Sequence, residues 1–437
     1  MSEDRFDVCV IGGGPAGHAA ALAAAKCGSS VVLVEGERLG GTCVHQSCIP
    51  TNGLLSALKS SLEAQELELV GILDAAGELA LSQVRKRQLR LAEGMQRGLQ
   101  ASLTAAGVTV REGHAHLIDA QSVAVGNAET VHAGSIVIAS GSSWVTPTLE
   151  GVDPSRVLTA DLVQDLVRPP ASARVLGGGL GETTFFVEYA FLLAALGTKV
   201  TVPLAQGALI PALDPDMDRL AVGVLENVGV VMDEISSGAT DAEVVVITDC
   251  RAPRVEDLGL DSIGLPTARL WVDTHAETQV SHVFAAGDVV VGSDTTGMAQ
   301  ALAGIAGSNA AGLNRTFPDG PQPRILHTFP AIGWIGMGER AARQAGRDLV
   351  CGYADLSANG RAAALGSREG MVKVIGDAQT GEVLGVQAVS PDVEEIIALA
   401  TLAIRSELTL DELALTPQWH PSIAEALSVA ATAALRS

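Results

Sequence analysis

The chain is 437 residues long, enough for about three domains at roughly 150 residues each. Apolar residues make up 47% and charged residues 18%, which excludes a disordered chain. Lys and Arg total 28 against 50 Asp and Glu, and a net charge of −22 repels nucleic-acid phosphates and anionic lipid.

Six cysteines in this length do not make a disulfide scaffold, so a closely spaced pair points to catalysis or metal binding. The start, MSEDRFDVCV, lacks the basic region and cleavable apolar stretch of a secretory signal. No uncharged apolar run reaches the roughly 18 residues of a membrane span. The nearest, around Phe185–Gly197, is broken by Glu188. These features predict a soluble cytoplasmic protein with neither nucleic acid nor membrane as partner.

Residues 6–11 read as a fully buried strand, followed by Gly12-Gly13-Gly14-Pro15-Ala16-Gly17 and an Ala-rich helix to about Lys26. Gly28 ends that helix, and Val31–Val34 is the next buried strand, closed by Glu35. This is the βαβ unit of a parallel sheet. A helical pattern covers 53–106, and short strands follow, ending at Ser135–Ala139. Pro169-Pro170 reads as linker punctuation. A second strand–glycine–helix–strand unit begins at Arg174 and ends near Val202. Val244–Ile247 and Val283–Ala286 are further buried strands. Gly287-Asp288 and an Ala/Gly-rich helix through Gly312 come next. Residues 317–323 mark a boundary, beyond which strands and helices alternate.

In the first turn Gly12 makes the tight bend, Gly14 lets the backbone approach a pyrophosphate, and Gly17 lets helix pack on strand. The helix that opens at Pro15-Ala16 offers free N–H groups to phosphate. Glu35 sits where a carboxylate accepts from ribose hydroxyls. An ordinary glycine-rich turn is the bland alternative. Strand, helix and acid together favour a dinucleotide.

Cys43 and Cys48 follow closely in Gly40-Gly41-Thr42-Cys43-Val44-His45-Gln46-Ser47-Cys48-Ile49-Pro50. On an ideal helix their Cα atoms would lie roughly 8.6 Å apart, beyond the ~7 Å limit for a disulfide. A bond therefore requires an irregular chain across 44–47. Pro50 helps, because it disfavours helix at Ile49. A metal site is the rival reading, but it needs further ligands and only His45 is adjacent. Cys9 and Cys27 read as buried small side chains. His45 is an exposed loop histidine or a group that depresses a thiol pKa. Trp419 either packs in a core or interface, or lines a substrate mouth.

The glycine fingerprint, the acidic strand end and the GGTC-x-x-x-x-C-I-P run together resemble the class I pyridine nucleotide–disulfide oxidoreductases, which include dihydrolipoyl dehydrogenase, glutathione reductase and mercuric reductase. The resemblance covers nearly the whole chain. Ala139-Ser140-Gly141-Ser142 is similar to the family's A-T-G-S turn, and Ala285-Ala286-Gly287-Asp288 to its second FAD motif, whose Asp holds the ribityl chain. Thr328, Pro330, Gly336 and Glu339 resemble the opening of the dimerisation domain, and His420-Pro421-x-x-x-Glu425 its C-terminal motif. The resemblance implies FAD as cofactor, held by Gly12, Gly14, Pro15, Ala16, Gly17, Glu35, Gly41, Thr42, Ser140, Gly141, Gly287 and Asp288. It implies that Cys43 exchanges with substrate and that Cys48 faces the flavin. It also implies that His420 acts as acid/base, oriented by Glu425 and supplied by the partner of a homodimer.

The second glycine turn departs from the family's G-G-G-x-x-G-x-E-x-A. Anchored on Leu196-Gly197, the family's Glu falls on Glu188 and its third glycine on Phe186, with four residues extra. Starting instead at Gly177 puts Glu182 on that glycine, and starting at Gly179 puts Thr184 there. The following strand ends at Pro203-Leu204, which offers neither an acid for ribose nor a basic cluster. Asn52 stands where the family has a Lys that pairs with the Glu188 equivalent. These changes predict a weakened or lost nicotinamide site, against the alternative of a divergent working one. Phe185 and Phe186 are candidates to fill the vacated space.

The expected fold is α/β, with two Rossmann-like nucleotide-binding domains and a C-terminal α+β dimerisation domain. The FAD domain is expected at 1–150 and 271–320, the degenerate NAD(P)-like domain at 151–270 and the interface domain at 321–437. The expected activity is oxidation of a small or carrier-tethered thiol or dithiol, with O2 or another non-nicotinamide acceptor. An NAD(P)-dependent dihydrolipoyl dehydrogenase or disulfide reductase is the first alternative, and a non-catalytic FAD scaffold the second. No metal is expected.

Overall fold

The computed structural model describes residues 4–126, 129–177, 184–204, 207–233, 241–293, 295–318, 320–367 and 369–437. It divides into two compact units. The first comprises Met1–Leu54, Ala80–Val145 and Cys250–Asp319, and the second Leu55–Leu79, Thr146–Asp249 and Gly320–Ser437.

The first unit is built on a parallel sheet. Strand β1 (Asp4–Ile11) pairs in parallel with β2 (Val31–Glu35) on one side and with Glu129–Ile138 on the other. Thr109–Glu112 extends the sheet beyond β2, and Val283–Ala285 extends it beyond Glu129–Ile138. The hairpin Ala115–Asp119/Ser122–Val125 pairs antiparallel with the start of Glu129–Ile138. Val8, Cys9 and Val10 are fully buried, as the unbroken apolar run requires of a strand covered on both faces.

Helix α1 (Pro15–Lys26) lies in this core through Ala16, Ala20, Ala21 and Ala24. The helix Thr296–Ala310 packs on it through its own small residues. A Cβ on Gly307 would come within 2.1 Å of the Ala20 carbonyl oxygen, so only glycine permits this approach. Helices α2 (Gly41–His45) and α3 (Cys48–Leu69) follow β2. The single helical pattern read over 53–106 is in fact α3 and a second helix, Leu81–Ala105. Helix α3 stops at a left-handed Gly71, where Ile72 N–H bonds the Leu67 carbonyl and Gly71 N–H that of Glu68.

The second unit has a five-stranded parallel sheet and a five-stranded antiparallel one. The parallel order is Val231–Asp233, Lys199–Pro203, Ser172–Leu176, Val244–Ile247, Val157–Thr159. The antiparallel order is Arg324–Leu326, Ala331–Gly336, Val383–Ser390, Met371–Asp377, Leu349–Asp355. Helices Val393–Arg405 and Glu425–Ala434 cover the antiparallel sheet. Fully buried Lys373 fastens these parts together. Its Nζ lies 2.9 Å from Asp214, 3.0 Å from Asp216 and 2.7 Å from Glu339. A buried ammonium persists only with such partners, and they hold its pKa well above the ordinary lysine value against the opposing effect of burial.

The α/β class read from the sequence is the one observed. Among the described residues, no helix is long and apolar enough to cross a membrane.

Candidate active site

In the first glycine turn, Gly12 has φ +99°, and a Cβ there would sit 2.4 Å from the Ala139 carbonyl oxygen. A Cβ on Gly17 would fall 1.7 Å from the Gly12 oxygen. Both glycines are obligatory. Gly14 caps α1 without a side-chain hydrogen bond and faces open space, and Pro15 opens the helix. The helix N-terminus is therefore bare, as an anion site requires. A Cβ on Gly41 would come 3.1 Å from Gly14 Cα, so α2 backs onto the same opening. Glu35 accepts from Gly13 N–H at 2.5 Å and from Glu37 N–H at 2.7 Å, which places its carboxylate against the turn.

The later motifs return to this place. A Cβ on left-handed Gly287 would meet the Ala16 side chain at 2.9 Å. Thr42 hydroxyl reaches the Ser142 carbonyl at 3.4 Å. Ser142 hydroxyl donates to Asp288 Oδ2 at 2.7 Å. The carbonyl of left-handed Gly141 accepts from Arg254 N–H at 2.9 Å. Ser140 Oγ is buried with no hydrogen-bond partner among the described residues. A bare helix end, a cradle with no room for Cβ atoms and an orphaned hydroxyl fit an extended diphosphate-bearing cofactor.

The two cysteines straddle a break. Helix α2 ends at His45, Gln46 leaves helical geometry, and the N–H groups of Gln46 and Ser47 both fall on the Thr42 carbonyl. Helix α3 then begins at Cys48, so the irregular linker expected between the pair is present. Ile49, where Pro50 is expected to disfavour helix, is helical: Pro50 lies in the first turn of α3, where its missing N–H removes no bond.

Both sulfurs are free thiols. The Cys43 thiol donates to Cys48, and this bond, with further ones from Thr296 and Ser47, lowers the Cys48 pKa to about 6 against the opposing effect of burial. The proton is retained on Cys43, whose pKa is pushed up by that same bond, by burial and by the Cys48 and Asp288 charges. Thr296 Oγ1 lies 3.4 Å from the Cys48 sulfur and 4.0 Å from that of Cys43. The sequence reading did not single out Thr296. Its only signal is its place beside Thr295, the N-cap that opens the following helix. Arg251, paired with Asp288 at 3.1 Å, also went unread.

His420 and Glu425 belong to the second unit, whereas the cysteines belong to the first. His420 Nδ1 is 2.9 Å from Glu425 Oε1, and Ser422 N–H donates to the other carboxylate oxygen. Those bonds, with the Ser422 one first, hold the Glu425 pKa below the usual value. The His420 side chain is 77% exposed and Trp419 is 82% exposed, so this surface is open in the single chain.

In the second βαβ unit, Gly178, Gly179, Leu180, Gly181, Glu182 and Thr183 lie outside the described residues. Around them, Phe186 is the first residue of the helix Phe186–Ala195, and its ring packs on Gly177. Pro203 ends its strand, pairing with Asp233. Glu188 is buried and accepts from His327 N–H at 2.7 Å and from its ring at 2.9 Å. No motif or spacing marks this histidine. Asn52 donates to the Cys48 carbonyl.

Cys27, expected to be buried, is exposed because it caps the end of α1. Cys9 is buried, and burial raises its pKa to about 12. His45 is tied to the Leu39 carbonyl at 2.9 Å and does not figure among the groups that shift either sulfur of the pair. Among the described residues no cluster of three or more His, Cys, Asp or Glu could hold a metal.

The family model "Pyridine nucleotide-disulphide oxidoreductase" matches residues 6–306, and that family's dimerisation domain matches residues 322–431. A dihydrolipoyl dehydrogenase of Bacillus subtilis is 31% identical over 96% of this chain and 96% of its own length. One of Chlorobaculum parvum is 32% identical over 100% of this chain and 98% of its own. Among solved structures, the fold matches the HOCl-induced flavoprotein disulfide reductase RclA from Escherichia coli, with TM-score 0.85, 23% identity, and 98% and 99% of the two chains covered. LpdA from Mycobacterium tuberculosis gives TM-score 0.87 at 25% identity over 98% and 99%. The chain therefore belongs to the pyridine nucleotide–disulfide oxidoreductases, enzymes that bind FAD and act on sulfur groups.

Proposed function

We propose that the protein is a homodimeric, FAD-dependent dithiol oxidase that works through Cys43 and Cys48 and uses O2 or another non-nicotinamide acceptor. The observation that carries this reading is the placement of Cys43 and Cys48 on either side of the break between α2 and α3, with Thr296 Oγ1 3.4 Å from the Cys48 sulfur and 4.0 Å from that of Cys43. The bonds around the pair favour the thiolate on Cys48. In the oxidised enzyme the two sulfurs are bonded. A substrate thiolate attacks Cys43 and the Cys43–Cys48 bond breaks. Cys48 leaves as the thiolate, which its low pKa favours. This yields a mixed disulfide between substrate and Cys43.

The second substrate thiol gives its proton to His420 of a second copy, and Glu425 fixes the tautomer of that ring. The resulting thiolate attacks the substrate sulfur of the mixed disulfide. The substrate leaves as a disulfide, Cys43 takes back a proton, and two electrons remain on the pair. Gly12, Gly14, Gly17 and Gly41 would hold the diphosphate, Glu35 the ribose, and Ser140 and Asp288 the remaining polar groups of the cofactor. Bound FAD supplies the two-electron acceptor that reoxidises the pair. The net reaction with oxygen is dithiol plus O2 to disulfide plus H2O2.

The packing of Phe186 on Gly177 and the non-acidic strand end favour a non-nicotinamide acceptor. The alternative is an NAD(P)-linked dihydrolipoyl dehydrogenase or disulfide reductase, favoured by the names of the full-length relatives. An oxygen electrode with peroxide detection separates the two. Dithiol-dependent O2 uptake with one H2O2 per disulfide supports the oxidase. Turnover that appears only on adding NAD or NADP overturns it.

A further inference from the structure

We propose that Arg251 is a positioning residue for the cofactor: with Ser142 it holds one oxygen of Asp288 and leaves the other for a hydroxyl of bound FAD. This inference rests on the FAD reading but not on the choice of electron acceptor. Arg251 arrives by way of a two-stranded antiparallel ladder outside the main sheet, Ser142–Trp144 against Arg251–Pro253, with Arg251 opposite Trp144 and Pro253 opposite Ser142. The ladder is closed at its ends by Val145 N–H to the Cys250 carbonyl and Arg254 N–H to the Gly141 carbonyl, each at 2.9 Å. It places a hydroxyl and a guanidinium on the same side of Asp288.

The guanidinium carbon lies 5.1 Å from the Trp144 ring centroid, which fixes the plane of the fork. Its Nη2 is 3.1 Å from Asp288 Oδ2, and Ser142 Oγ is 2.7 Å from that same oxygen. Arg251 has no other acidic partner among the described residues, and its Nε is buried without an acceptor. Asp288 Oδ1 accepts no hydrogen bond among the described residues, while its backbone is held against Ala16 through Gly287.

A carboxylate oxygen only accepts, so Oδ1 awaits a donor that the protein does not supply. Phosphates have no proton to give, whereas the hydroxyls of FAD do. The arginine also neutralises Asp288. That charge already contributes to the upward push on Cys43.

The test is a double-mutant cycle on FAD affinity. Apoprotein of wild type, Arg251→Met, Arg251→Lys, Asp288→Ala and the Arg251→Met/Asp288→Ala double variant is titrated with FAD, following quenching of flavin fluorescence. Circular dichroism checks the fold. Arg251→Met is expected to weaken FAD binding about 10- to 100-fold, the range for a charge-assisted contact. Arg251→Lys recovers part of that loss, since it restores charge without the fork. In the Asp288→Ala background the methionine substitution costs less than about twofold.

An equal loss in both backgrounds overturns the proposal, because the arginine would then act by packing on Trp144 alone. No loss in the single variant overturns it as well. If Arg251→Met does not fold, the lysine variant in both backgrounds decides by the same comparison. Failure of the wild type to bind FAD would instead defeat the cofactor reading. FAD binding together with NAD-dependent turnover would defeat only the oxidase reading.

Discussion

The chain contains two strand–turn–helix–strand units of the same plan and unequal condition. In the first, three residues separate β1 from α1; in the second, nine separate Leu176 from Phe186. The first keeps glycine where a Cβ would strike the Gly12 carbonyl, whereas the second starts its helix with a phenylalanine packed on Gly177. The first strand pair ends in Glu35, bonded to the turn; the second ends in Pro203, whose nitrogen has no proton to give. In the first unit glycine permits backbone to approach backbone, whereas in the second the described contact is the Phe186 side chain against Gly177. A parallel sheet does not depend on its glycine turn, because its core is made by strands and helix faces.

Substitutions in each unit sharpen this contrast. The largest effect is expected from Cys48→Ser, which removes the leaving thiolate. Dithiol turnover should fall by at least about a thousandfold while the FAD absorbance of the purified protein is unchanged. Loss of FAD along with turnover would mean that Cys48 supports the cradle instead. Next comes His420→Gln, with a drop of about 10²- to 10⁴-fold in kcat for dithiol oxidation, the range for general acid–base catalysis. Glu425→Gln should follow in the same direction by a smaller factor and move the pH profile of kcat. A variant with full activity would assign the proton transfer elsewhere.

Phe186→Ala tests the second unit. It should cost about 3 kcal/mol of stability, as for a buried phenylalanine, without change in FAD content or dithiol turnover. A turnover loss beyond that would tie Phe186 to the chemistry. The smallest effect concerns the thiolate. In the reduced enzyme, alkylation of Cys48 should rise with pH through an inflection near 6, being slow below it, where the thiol is protonated, and fast above it. Thr296→Val removes one of the bonds that lower this pKa, so the inflection should move upward. An inflection that stays in place would remove Thr296 from the site.

Much of this was legible in the residues. The first turn could be read because each glycine there answers a local steric demand within a few positions. The break between Cys43 and Cys48 followed from helix geometry once a bond between them was required. The exposed Cys27 and the helical Ile49 were misread because each depends on a helix end, and the sequence pattern fixes such ends poorly. Thr296, Arg251 and His327 were not legible. Thr296 meets Cys48 from 248 positions away, Arg251 meets Asp288 through a short ladder, and His327 meets Glu188 from 139 positions away. Contacts of that range leave no periodicity to read. The electrostatic inequality of the two sulfurs comes first from their mutual bond and then from the Thr296 contact, and neither follows from spacing alone.

The most direct measurement is an anaerobic titration of the oxidised, FAD-loaded protein, first with NADH and NADPH at micromolar concentration and then with a dithiol, following the flavin absorbance. The expected result is no bleaching by either nucleotide and full bleaching by two equivalents of dithiol per subunit, because the disulfide and the flavin each take two electrons. Rapid bleaching by NADH or NADPH would contradict the account, because it would show a working nicotinamide site in the second unit.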